Sequence, residues 1–278
     1  MRRTDLIPVA LLVALGGFIA VQFARAPRRR TPPPAIVVDT TESVHPDPAP
    51  ASTGMASVIA AQPTDVESEV RMSSAPPPRH DVSEVRRRLQ LSEAGTYLGA
   101  MLAQLDSNLY RWPDRVADPI RVWVDPHPPL ADWSERNPSI VRAAFREWEQ
   151  TGIPVRFSFV VNAGDADVTV TWVEKFEADR IGHTRWIHDQ HRWMSPGSSI
   201  TLALRHPTAG PVPEEMMAGV ARHEIGHVLG VPHSPTNGDI MYAQLTQSKL
   251  SNADRATVRL LYSVPAGSIR LAETTAAP

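Results

Sequence analysis

The chain has 278 residues, which is long enough for one sizeable domain with extensions or for two small domains. Its formal net charge is −2, so the sequence does not indicate the broad basic surface that nucleic-acid binding requires, and no nucleic-acid partner is expected. The chain has no cysteine, which excludes disulfides, thiolate metal sites and a cysteine nucleophile. Any metal ion must therefore be bound by His, Asp or Glu side chains.

Residues 6–24 are almost wholly apolar, and about 20 such residues are needed to cross the hydrocarbon core of a bilayer. This pattern predicts a signal anchor within residues 1–30, or a long cleavable signal peptide. Ala24 and Ala26 have the small-x-small form of a cleavage site, but Pro27 disfavours cleavage. We therefore expect a membrane-anchored protein whose folded part lies outside the cytoplasm, or a secreted protein if the segment is cleaved.

Two segments of different composition precede the main domain. Residues 31–80 are rich in Pro, Ala, Ser and Thr and contain no aromatic residue of the Phe, Trp or Tyr type, so they are predicted to form a disordered linker. Residues 82–109 carry apolar side chains close to helical spacing. We predict one or two amphipathic helices within residues 81–112, which pack on the main domain or on a partner; a propeptide role stays open.

The main domain is predicted over residues 113–265, with a disordered tail at 266–278. An amphipathic helix is indicated at residues 138–150, where an apolar stripe ends before Gly152. Short apolar or alternating runs predict strands at residues 120–124, 155–161, 168–173 and 200–204. The domain is therefore expected to contain both α and β structure.

The stretch from Pro213 to His233 contains a pattern that can bind a metal ion. His223 and His227 are four residues apart, so they share one face of a helix that can begin at Pro213. Gly230 can end that helix with a positive φ and turn the chain back, which would bring His233 to the same point. Three imidazoles form the open zinc site of a hydrolase, in which the fourth position is left for water.

Glu224 follows the first of these histidines and is displaced by about 100° around the helix, which places it beside a metal ion rather than on it. A carboxylate in that position can take a proton from an attacking water and pass it to a leaving amine. We therefore predict that Glu224 is the catalytic base.

The run H-E-I-G-H-V-L-G-V-P-H resembles the signature of the metzincin zinc peptidases, which is followed by a Met-turn. Met241 lies eight residues after His233, and Ser234 follows the third histidine, as in the matrixin (matrix-metalloproteinase-like) branch. The run from Leu250 to Tyr262 is similar to the helix that closes matrixin catalytic domains, and its Ser251 and Asp254 predict a capping box.

This resemblance implies an α+β, metzincin-like (zincin-like) fold with a twisted, mixed five-stranded sheet and about three main helices. It also implies a catalytic Zn²⁺ on His223, His227 and His233, with Met241 as a hydrophobic floor rather than a ligand. The implied activity is that of an endopeptidase acting on protein or peptide substrates. Residues 200–204 would form the edge strand to which an extended substrate adds.

The sequence departs from the family pattern in two ways. Matrixins are usually kept latent by a propeptide cysteine on the zinc, and a chain without cysteine cannot use that device. Matrixins also commonly carry structural zinc and calcium ions before the active-site helix. Here His183, His188, Asp189 and His191 could supply ligands for such an ion, but their spacing does not match the family pattern, so a structural zinc or calcium is possible but not expected.

Two other interpretations stay open from the sequence. One is a zinc hydrolase of another type, in which a distant Glu replaces His233 as the third ligand. The other is a surface protein that keeps the metzincin fold as a binding module without turnover. The presence of Glu224 argues against the second of these.

Overall fold

The structure is a computed structural model that describes residues 36–37, 67–72, 81–177, 180–206 and 210–269. The predicted membrane segment at residues 6–24 lies outside these ranges, so it stays a prediction. Within the described ranges, no helix has the length and apolar character needed to cross a bilayer.

The described residues contain five α-helices and twelve strands, and six of the strands follow one another between the third and fourth helices. The helices are α1 (Val82–Ser92), α2 (Leu98–Gln104), α3 (Asn137–Glu149), α4 (Glu214–Val228) and α5 (Asn252–Tyr262). The strands are β1 (Ile36–Val37), β2 (Glu67–Arg71), β3 (Asn108–Leu109), β4 (Arg115–Val124), β5 (Val155–Phe159), β6 (Val168–Val173), β7 (Gly182–Asp189), β8 (Met194–Ala203), β9 (Arg205–His206), β10 (Gly210–Pro211), β11 (Gln244–Leu245) and β12 (Gly267–Ser268).

The largest sheet among the described residues has six strands in the order β2-β7-β8-β6-β4-β5. Strands β5, β4, β6 and β8 are parallel to one another, and β7 runs antiparallel to β8. The sixth strand, β2, pairs in parallel with β7. The mixed α+β architecture agrees with the prediction, but the predicted number of five strands is too low because β2 was not expected.

The central strands and α3 form where their apolar residues follow the period of the element. In β6, Val168, Val170 and Trp172 are buried while the two threonines between them are half-buried, as the period of two in a strand requires. In α3, Phe145 and Trp148 lie on the buried face. The indole of Trp148 donates a hydrogen bond to the carbonyl oxygen of Arg222 at 2.9 Å, which fastens α3 to α4.

The expectation that residues 200–204 form an edge strand is wrong. These residues belong mainly to β8, which is hydrogen-bonded to β6 on one side and to β7 on the other. Strand order depends on pairing between residues far apart in sequence, and a local pattern of apolar residues does not contain that information. Strand β7 lies beyond β8 on this side of the sheet, and β2 pairs with the second half of β7.

Two parts of the segment predicted as a disordered linker are in strands. Strand β1 pairs antiparallel with β11, and β2 pairs with residues 185–189 of β7. All five residues of β2 are exposed, so it is bound through its main chain and through polar contacts such as the Glu69–Arg185 ion pair at 2.9 Å. Such a strand buries little apolar surface, which is why its composition resembles that of a linker.

The ends of the predicted main domain also differ from the structure. Helices α1 and α2 are present where amphipathic helices were predicted, and their buried residues, including Leu89 and Met101, belong to the common hydrophobic core. With the three main helices α3, α4 and α5, the described residues contain five α-helices, which agrees with the prediction. At the other end, β12 pairs with β3, and Ile269 is buried, so the ordered part continues past residue 265.

Candidate metal centre

Helix α4 carries the first two histidines and has the boundaries that its sequence favours. Pro213 caps the helix in an extended conformation, and Glu214 and Glu215 lie in the first turn, where carboxylates complement the positive end of the helix dipole. The second half of the helix is buried, including His223, Glu224 and His227. The sequence prediction of this helix is confirmed to within one residue at its start.

The structure brings His223, His227 and His233 together. One ring nitrogen of each lies within 4.8 Å of the others, and the Nε2 atoms of His223 and His227 are 3.1 Å apart. Two nitrogens bound to one tetrahedral zinc at about 2.0–2.1 Å would be roughly 3.3 Å apart, so this separation suits a shared ion. Among the described residues, this is the one group of three His, Asp or Glu side chains that could bind a metal ion.

Backbone carbonyl groups orient the two helical imidazoles. His223 Nδ1 lies 2.7 Å from the carbonyl oxygen of Ile240, and His227 Nδ1 lies 2.8 Å from that of Val231. A carbonyl oxygen can only accept, so Nδ1 carries the proton and the lone pair is on Nε2. This is the tautomer that binds a metal through Nε2, with the other ring nitrogen fixed by a backbone group.

The electrostatic environment also favours neutral histidines. Burial, with added repulsion from His223 and His233, holds the pKa of His227 well below its ordinary value. The ring therefore stays neutral at neutral pH, and only a neutral imidazole can donate a lone pair to a metal ion.

Gly230 forms the turn that carries His233 to the other two histidines. Its φ is +89°, and the hydrogen bonds from Gly230 N to His227 O and from Val231 N to Gly226 O form a Schellman cap. A Cβ atom at Gly230 would lie 2.1 Å from the carbonyl oxygen of Tyr110. Glycine is therefore required at this position for two reasons, its conformation and the space available.

Met241 packs against α4 beneath the histidines. Met241 is fully buried. A Cβ atom added at Gly226, which lies between His223 and His227 in the sequence, would be 2.2 Å from the Met241 sulfur, so the Met241 side chain packs directly on α4. The carbonyl oxygen of Met241 accepts a hydrogen bond from Ser234 N at 2.7 Å, which joins this turn to the residue after His233. The role of Met241 as a hydrophobic floor beneath a metal ion stays a prediction.

The first residues of α5 fix the turn that contains Ile240 and Met241. Ser251 and Asp254 form the predicted capping box, which is confirmed. The Asp254 carboxylate also accepts a hydrogen bond from Ile240 N at 2.8 Å. Asp254 therefore holds the same backbone segment whose carbonyl oxygen orients His223.

Glu224 lies beside β7, in contact with residues that the sequence did not single out. It is fully buried, and the hydroxyl oxygen of Thr184 lies 2.6 Å from its Oε2. A Cβ atom at Gly182 would lie 2.2 Å from its Oε1, so a larger residue there would displace the carboxylate. Strand β7 was not predicted, and without it Gly182 and Thr184 could not be connected with Glu224.

Two of the four residues considered for a second metal site, His188 and Asp189, contact backbone groups in and after β7. Asp189 Oδ1 accepts hydrogen bonds from the backbone N–H groups of His191 and Trp193, which closes the turn after β7. His188 Nδ1 lies 2.7 Å from the carbonyl oxygen of Asp189. These residues and His183 are not brought together as a group that could bind a metal ion.

Comparison with known proteins identifies the family. The family described as Matrixin matches residues 125–263, which is half of the chain. The chain belongs to the matrixin family. This membership confirms the resemblance found in the sequence, places the chain among metallopeptidases and implies a catalytic zinc.

Among curated proteins, this matrixin is similar to karilysin from Tannerella forsythia. The two are 27% identical over 150 residues, a region that covers 45% of this chain and 28% of karilysin. The chain therefore spans less than a third of the length of that relative, and the similarity concerns one part of each protein.

We expect Gly230→Ala to lower the free energy of unfolding by about 2 kcal/mol or more, because alanine resists the positive φ and its methyl group would clash with the Tyr110 carbonyl. Urea denaturation measures this change. Gly164→Ala is the matched control, since Gly164 has open space around it and no positive φ. Equal stabilities of the two variants would show that the turn does not require glycine.

Proposed function

We propose that this matrixin is a zinc-dependent endopeptidase in which His223, His227 and His233 bind the metal and Glu224 is the general base. The observation that carries this proposal is the convergence of three imidazoles, two of them with Nδ1 fixed by backbone carbonyl groups. Neutral imidazoles are the donors typical of catalytic zinc sites, and three protein ligands leave a position for water.

Each polar group of the site has a defined part in this reaction. When bound, zinc polarises the substrate carbonyl and lowers the pKa of a bound water to about 7. Glu224 takes the proton of the attacking water and delivers it to the leaving amine. The Thr184 hydroxyl, 2.6 Å from Oε2, holds the carboxylate in one orientation, so that its proton transfer requires little rearrangement.

We further propose that an extended substrate pairs with the edge of β7, in place of the edge predicted at residues 200–204. Gly182 and Thr184 of this strand contact Glu224, so a peptide paired with them would pass beside the proposed base. The pairing of β2 with residues 185–189 supports this proposal, since it shows that the β7 edge accepts an extended chain.

The geometry favours this function over the two alternatives. A hydrolase with a distant Glu as third ligand would have no need of His233, whose ring lies with the other two. A binding module without turnover would have no need of a carboxylate fully buried beside the three histidines, since removing a carboxylate from water is costly.

We expect Glu224→Gln to lower kcat for hydrolysis of a quenched fluorescent peptide by at least about a hundredfold, because an amide cannot accept the proton. The measurement uses the full-length chain with zinc, and Glu215→Gln is the control because Glu215 is an exposed carboxylate on the same helix. Hydrolysis by Glu224→Gln at the rate of the control would contradict the proposed function.

Substrate pairing along β7 predicts competition with β2. If residues 67–71 are replaced by a Gly-Ser stretch of equal length, the edge beyond Thr184 becomes available. We expect KM to fall a few-fold for peptides long enough to reach Arg185 and beyond, and to stay unchanged for short peptides; the effect should lie in KM rather than kcat. An equal change for short and long peptides would contradict the assignment of the substrate edge to β7.

A further inference from the structure

We propose that residues 97–112 form a rear support for the metal ligands and that Gln104 is the positioning residue for His233. This inference rests on the proposed zinc-binding function. The segment precedes residue 125, where the match to the matrixin family begins, so it lies outside the matched part of the chain.

His233 is the ligand that most needs such support. His223 and His227 lie on α4, are almost completely buried and have Nδ1 fixed by a carbonyl group. His233 lies in the loop after the Gly230 turn and is only partly buried. A ligand on a loop is held less precisely than a ligand on a helix, so contacts to the loop backbone decide how well it is placed.

Gln104 makes such a contact from a fixed position. It is the last residue of α2, and Leu98 and Met101 of the same helix are fully buried in the core. Its amide nitrogen donates a hydrogen bond to the carbonyl oxygen of His233 at 2.8 Å. This bond fixes the peptide plane that follows His233 and restricts the rotation of the loop about the ligand.

Tyr97 connects the same segment to His223. The Tyr97 hydroxyl donates a hydrogen bond to Asp254 Oδ1 at 3.0 Å. Asp254 also accepts a hydrogen bond from the backbone N–H of Ile240, and the carbonyl oxygen of Ile240 orients the His223 ring. Burial, together with the Asp254 charge, raises the pKa of Tyr97 well above its ordinary value, so its hydroxyl remains a donor.

Trp112 and Tyr110 contact the chain around His227. The indole of Trp112 donates a hydrogen bond to the carbonyl oxygen of Val228, the residue after His227, at 2.8 Å. The carbonyl oxygen of Tyr110 lies against Gly230. The segment from Tyr97 to Trp112 therefore contacts the backbone at His233 and beside His227 directly. It reaches the ring of His223 through the Asp254 side chain and the Ile240 backbone.

The test compares zinc affinity among full-length chains by competition with a chelator of known affinity. In Gln104→Ala the loop loses its donor, and we expect zinc to bind about three- to tenfold more weakly, the equivalent of one hydrogen bond. In Gln104→Glu a carboxylate of the same shape faces the His233 carbonyl, so the loss should be at least as large. Gln90→Ala, an exposed residue of α1, is the control and should bind zinc as the wild type does.

A second readout separates positioning from general stability. The visible absorption of the Co²⁺-substituted chain reports ligand geometry, and we expect it to change in both Gln104 variants but not in the control. The melting temperatures of the metal-free Gln104→Ala and Gln90→Ala chains should agree closely. Wild-type zinc affinity and an unchanged Co²⁺ spectrum in both Gln104 variants would overturn this inference and leave the proposed function standing. A wild-type chain that binds no zinc would overturn both.

Discussion

The site depends on one reversal of the chain at Gly230. A helix can present His223 and His227 on one face, but it cannot present a third ligand to the same point without ending. The Schellman cap ends α4 within three residues of His227, and the positive φ of Gly230 directs the chain back over the helix. The Tyr110 carbonyl, packed where a Cβ atom would stand, makes the turn specific for glycine.

Groups around the site then orient the side chains that the fold brings together. Carbonyl oxygens of Ile240 and Val231 select the tautomer and the direction of two rings, and Asp254 holds the turn from which one of those carbonyl groups comes. Thr184 does the same for Glu224 from the neighbouring strand. The orientation of three side chains, those of His223, His227 and Glu224, is therefore set by groups from four separate parts of the chain, which is the usual relation between metal-site residues and the shell that orients them.

Features that depend on residues close together in the sequence could be predicted, and features that depend on pairing between distant residues could not. The positions of His223 and His227 on one helix, α3 and the Ser251–Asp254 capping box are each defined by spacings within one element, and all are where the spacing indicated. The turn that brings His233 to the other two histidines depends on a single glycine three residues after His227. Strand β7 was missed because its sequence, G-H-T-R-W-I-H-D, is mostly polar and has no apolar alternation, although it is buried at alternate positions over its first half and throughout its second half. The edge strand was assigned wrongly and β2 was taken for linker because both depend on pairing between distant residues.

The most direct test of the central claim, that three histidines bind one zinc ion, is the metal content of the purified full-length chain measured by mass spectrometry. We expect about one zinc per chain in the wild type and in His127→Ala, whose histidine is exposed and distant in sequence from the motif. We expect almost none in His233→Ala after the same dialysis. A zinc-free wild type, or a His233→Ala chain that retains its full zinc, would show that the three histidines do not bind one zinc ion.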